Sequence, residues 1–194
     1  MSAESETVSS MVIDREQAAE ALGDIDDVVR RVRQSRIYDL ASLFMIWWGV
    51  LVFAANFATW LWPHDGSSIW ISTDLIGVAG MFAISASNYA RTRVRSFDLR
   101  MLAAYLLLLA FGFFCADLLG HFTARQQGTF WPIYFMLFYT IAGLWFGYAF
   151  VAIGLGITML TLIGYYFAGE QFLLWMAVVN GVGLILGGLW MRRS

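Results

Sequence analysis

The chain has 194 residues, of which 60% are hydrophobic, 17% aromatic and 13% charged, with a formal net charge of -2. Soluble domains carry about 25% charged residues, and a chain this short buries too little of its surface to hide so many Leu, Phe and Trp side chains from water. Composition therefore excludes an ordinary water-soluble domain, and the single cysteine, Cys115, excludes an intrachain disulfide and a thiolate metal cage.

Residues 1–12 are polar and acidic and are expected to be a disordered tail. They lack the basic start and short apolar core of a secretory signal, so the first apolar segment is expected to stay as a span. Residues 13–39 read as a juxtamembrane helical segment. Asp14 can cap its start with Gln17 at the reciprocal position, and Asp24 can cap a second piece. Ile25, Val28, Val29 and Val32 fall at three-and-four spacing beside Arg30, Arg31 and Arg33. Such a stripe fits a partner protein or an anionic lipid surface.

Six apolar segments approach the roughly 20 residues needed to cross the hydrocarbon core. They are expected at residues 40–62, 69–90, 99–119, 130–148, 151–168 and 172–191, leaving 192–194 as a short tail. The fourth and fifth need an argument. Residues 130–168 carry no charge, and as one helix they would extend about 58 Å against a slab of about 30 Å. Two helices with a tight turn fit better, and the turn is expected between Gly147 and Gly156, where glycine lets the chain bend.

Arginine placement agrees with six crossings. All 12 basic residues are Arg. Arg36 joins Arg30, Arg31 and Arg33 ahead of the first span. Arg91, Arg93, Arg95 and Arg100 lie between the second and third, and Arg192 and Arg193 follow the sixth. With six spans these ten share one face, which the positive-inside rule makes cytoplasmic; Arg15 lies in the tail, and only Arg125 falls on the other face. The expected fold is thus an all-α integral membrane protein, a six-helix transmembrane bundle with a short cytoplasmic N-terminal helical tail. The expected location is a bacterial inner membrane with both termini cytoplasmic.

Small residues recur every fourth position: Gly112, Ala116 and Gly120; Gly143 and Gly147; Gly183 and Gly187; Ala79, Ala83 and Ser87. Such ladders let helix backbones approach within a bundle or between copies. The lipid bilayer is one expected partner, and a membrane protein or a second copy meeting a small-residue face is another. Nucleic acid is not, because no segment outside the spans is large enough to form a reader domain.

Polar side chains within or beside the spans are the candidate chemistry, because ionisable groups in lipid are costly and tend to face a cavity or a partner. Asp74, Asp117, His121, His64, Asn180 and Asn56 form the candidate proton or substrate site. Asp117 and His121 are four residues apart and so share a helix face. His64, Asp117 and His121 are the weaker candidates for a metal. Asn56 and Asn180 are each near the middle of a span and could bond to each other. Thr158 and Thr161 could bond back to their own helix.

No nucleotide-binding, serine-hydrolase or His-Glu-x-x-His motif is present. Two histidines at span edges do not make a haem site, so no cofactor is expected. The pattern implies a non-catalytic membrane scaffold, sensor or accessory subunit whose cytoplasmic tail makes interactions. A small proton-coupled transporter using the outer acid/histidine group, and a metal-bearing membrane enzyme, are the alternatives.

Overall fold

The computed structural model describes residues 38–92, 99–118 and 122–193. The expected tail features, including Val28, Val29, Val32, Arg30, Arg31 and Arg33, lie outside the described residues, as does His121. Contacts divide the chain into Met1–Asp39 and Leu40–Ser194, and the account below concerns the second unit.

The described residues form an all-α fold of six helices: α1 (Tyr38–Leu61), α2 (Gly66–Thr92), α3 (Leu99–Leu118), α4 (Ala124–Phe146), α5 (Tyr148–Phe167) and α6 (Gly169–Met191). Five helical stretches are long and apolar enough to cross a membrane; the described apolar stretch of α3, Ala103–Leu118, is shorter. Large apolar side chains face outward on α2 to α6, among them Leu75, Phe111, Leu144, Tyr166 and Leu186. In water such a surface would aggregate, whereas in lipid it is the solvated face.

The joints follow local chemistry. A 3-10 turn, Pro63–Asp65, links α1 to α2, with Pro at its first position where a missing N–H costs nothing. The α4 helix begins at Ala124, well ahead of the apolar run at 130. Its start is fixed by a capping box: the Thr123 hydroxyl accepts from the Gln126 N–H at 3.3 Å, and the Gln126 Oε1 accepts from the Thr123 N–H at 2.9 Å. Hydropathy could not register this polar first turn. The α4/α5 turn falls on one residue, Gly147, at φ 130°. That backbone region disfavours a Cβ, so glycine is what lets two crossings follow each other without a loop.

Helix α6 is not uniform. A 3-10 turn (Gly169–Gln171) and a short α stretch (Phe172–Met176) lead into a π segment (Ala177–Val182), after which α geometry resumes over Gly183–Met191.

Close approach and indole rings hold the bundle together. At the α1/α6 crossing a Cβ on Gly49 would stand 2.8 Å from the Gly181 carbonyl oxygen, so only glycine allows that spacing. The Trp47 and Trp48 rings lie over Gly80 and Gly77 of α2. Trp47 Nε1 donates to the Gly77 carbonyl at 3.1 Å, and Trp48 Nε1 reaches the Met81 sulfur at 3.2 Å. Trp175 of α6 covers Gly164 of α5 and donates to the Leu160 carbonyl at 2.9 Å. Between α3 and α4, Trp131 covers Gly112 and Tyr134 donates to the Leu108 carbonyl at 3.1 Å. The Arg192 Nε donates to the Ser42 hydroxyl at 3.1 Å, so the end of α6 meets the start of α1. Ala79, Ala83 and Ser87 are exposed on α2 and take no part in this packing.

Candidate functional site

The polar residues singled out in the sequence sit on separate elements. His64 is exposed in the Pro63–Asp65 turn. Asp74 lies eight residues into α2, about 12 Å along the helix from Gly66, and is partly buried. It makes no hydrogen bond or ion pair with any described residue, but stands within electrostatic reach of Tyr105 on α3. The Tyr105 ring in turn lies 6.4 Å from that of Trp48. One intramembrane carboxylate therefore faces an aromatic corner where α1, α2 and α3 meet. Tyr105 carries no motif, and only the packing of α3 against α1 brings it into view.

Asn56 and Asn180 are 5% and 3% exposed, so each amide must find its partners inside the protein. The two do not bond to each other. Asn56 Nδ2 donates to the Val52 carbonyl one turn back at 2.9 Å, and Asn180 Nδ2 reaches the Met176 sulfur at 3.5 Å. Asn180 sits within the π segment, and such segments recur at functional sites because they re-aim side chains and free backbone groups. No residue pattern announces it beyond a valine-rich stretch (Val178, Val179, Val182) around Asn180 and Gly181.

The two threonines of α5 diverge. Thr158 bonds back to the Gly154 carbonyl at 2.7 Å, whereas the fully buried Thr161 hydroxyl has no partner.

Asp117 is exposed at the end of α3 and lines an open pocket of about 400 Å³ with Phe113, Ala116, Phe122 and Gln127. The pocket lies at the head of an aromatic ladder. Phe122 and Phe130 are 5.5 Å apart, Phe130 and Trp131 5.4 Å, and Phe113 and Trp131 4.9 Å, between ring centroids. The arginine closest to Asp117 in the sequence, Arg125, turns to the other side of α4. Its guanidinium sits 5.0 Å from the Phe172 ring centroid and 5.7 Å from that of Tyr165, and it donates to the Gly164 carbonyl at 3.3 Å. Asp117 has no hydrogen bond or ion pair with a described residue.

Among the described residues, no three His, Cys, Asp or Glu side chains come together as metal ligands. His64 does not line the Asp117 pocket, nor do Asp74, Asn56 or Asn180. No protein-family model matches the chain, and comparison with curated proteins and with solved structures finds no significant match.

Proposed function

We propose that the chain is a non-catalytic scaffold, sensor or accessory subunit of a bacterial inner membrane, with six crossings and both termini cytoplasmic. The observation that carries this reading is the construction of the bundle interior. Glycine-to-backbone and glycine-to-indole contacts fill the space between α1, α5 and α6, and the buried amides there turn back on their own helix. The Asp117 pocket reaches neither Asp74 nor Asn180, whereas a transport path would gather polar groups along one cavity. The sixth crossing is assigned to α3: the Ser42–Arg192 bond between the start of α1 and the end of α6 supports entry and exit at one face, and with it an even number of crossings. Arginine-rich flanks make that face cytoplasmic.

Contact with a partner is assigned to two surfaces. One is the cytoplasmic stripe of Val28, Val29 and Val32 with Arg30, Arg31 and Arg33. The other is the exposed small-residue face of α2, Ala79, Ala83 and Ser87, which suits helix-to-helix approach in lipid. Purification of the full chain from its native membrane should retain a partner at fixed stoichiometry. Replacing Val28, Val29 and Val32 together by Asp should release it while the bundle keeps its thermal transition. A tail that can be changed or deleted without loss of any partner counts against the reading.

One observation favours a second reading, proton-coupled transport: the Asp74 carboxylate is placed deep in α2 beside Tyr105 without an ion-pair partner. Proteoliposomes with a trapped pH dye separate the two. Proton flux in the wild type that is abolished by Asp74→Asn establishes transport; an equal passive leak in both leaves the accessory role.

A further inference from the structure

We propose that the pocket between the end of α3 and the start of α4 binds an organic ammonium group. Asp117 supplies a carboxylate that no described residue neutralises, and Arg125, the arginine nearest in sequence, is committed to Tyr165, Phe172 and the Gly164 carbonyl. The carboxylate stands in the last turn of α3, where unsatisfied helix carbonyls add partial negative charge. The walls are the aromatic side chains Phe113 and Phe122, with Gln127 offering an amide oxygen.

A negative group beside aromatic rings attracts an alkylated or primary ammonium more than it does a strongly hydrated metal ion, because the rings stabilise a diffuse cation that has shed part of its water. Among the described residues, one carboxylate and one amide line the pocket, too few ligands for a divalent ion. A volume of about 400 Å³ lies within the range of small-molecule sites. It accommodates either a soluble amine or the headgroup ammonium of a phospholipid whose chains run down the aromatic ladder from Phe130 to Tyr134. The site is independent of the accessory reading, since it needs neither a partner protein nor transport.

The test uses the full chain in nanodiscs of phosphatidylglycerol, which carries no amine, titrated calorimetrically with tetramethylammonium chloride and with sodium chloride as control. A parallel arm measures retention of phosphatidylethanolamine by native mass spectrometry. Saturable tetramethylammonium binding that Asp117→Asn weakens about tenfold or more supports a site open to soluble amines. Selective retention of phosphatidylethanolamine, lost in the same variant, supports the headgroup as the source. Phe122→Leu keeps apolar bulk while removing the ring, and should weaken binding with the thermal transition intact, so the test survives if Asp117→Asn folds poorly. Binding unchanged in both variants, or no saturable binding of either probe, overturns the proposal.

Discussion

Arg125 shows how a side chain's position in sequence misleads about its partner. Eight residues past Asp117, it looks like that carboxylate's counter-ion. The guanidinium instead lies over Phe172 and Tyr165, binding the starts of α4 and α6 to the end of α5 through its charge and its planar shape. Lysine reproduces the charge but not the planar contact. Arg125→Lys should therefore lower stability by about 1 kcal/mol, read as a drop in the thermal midpoint in detergent, whereas Arg193→Lys should leave the midpoint unchanged.

Thr161 is the opposite case, a hydroxyl fully buried with nothing to bond. An unsatisfied buried polar group costs about 1–3 kcal/mol, and valine has nearly the same shape. Thr161→Val should raise the thermal midpoint, and a clear fall would mean that the hydroxyl holds an internal water. Neither outcome was legible in the sequence, which suggested that Thr158 and Thr161 behave alike. Each has a backbone carbonyl one turn back, yet only Thr158 uses it.

At the scale of the helices, the apolar run of residues 130–168 had to contain a turn because its length exceeds the slab, but its location rested on which of several glycines takes a left-handed conformation. Gly147 at φ 130° settles that, and Gly143, Gly154 and Gly164 serve instead as seats for side chains of neighbouring helices. Gly147→Ala should thus cost about 1–2 kcal/mol. Gly156, which has open space around the position of a Cβ, should tolerate alanine with little change. A comparison of the two midpoints checks the assignment.

The π segment of α6 makes a different demand. A wider turn accommodates one residue more than α geometry, so removing one residue from Ala177–Val182 can restore a regular helix with the flanking contacts in register. Deleting the exposed Val178 should leave a folded, monodisperse protein, whereas deleting the exposed Met159 of α5 should not, because it rotates every following residue off the α5/α6 interface. Size-exclusion profiles of the two deletions decide this. The sequence held no signal for the π segment, since valine, asparagine and glycine at these positions are equally compatible with an ordinary membrane helix.

For the whole molecule, the Ser42–Arg192 bond joins the start of α1 to the end of α6, the arrangement that the proposed even number of crossings requires. Reporter tags at the two ends of the chain should give the same compartment in intact cells; opposite compartments would remove α3 from the count of crossings and move the Asp117 pocket to the other side of the membrane.

The sequence by itself determined that the chain is helical and lives in lipid, because helix length, the scarcity of charge and the arginine flanks reflect the cost of exposing backbone and charge to hydrocarbon, and each can be read one segment at a time. It also picked out Asp74, Asp117, Asn56 and Asn180 as polar groups needing an explanation. Only the tertiary structure decided what surrounds them: that the two asparagines turn back on their own helices, that Asp74 meets Tyr105, and that Asp117 faces aromatic rings rather than Arg125. Those pairings depend on the rotation of each helix against its neighbour. In lipid that rotation is set by shape and close approach, with no hydrophobic driving force to leave a one-sided stripe in the sequence.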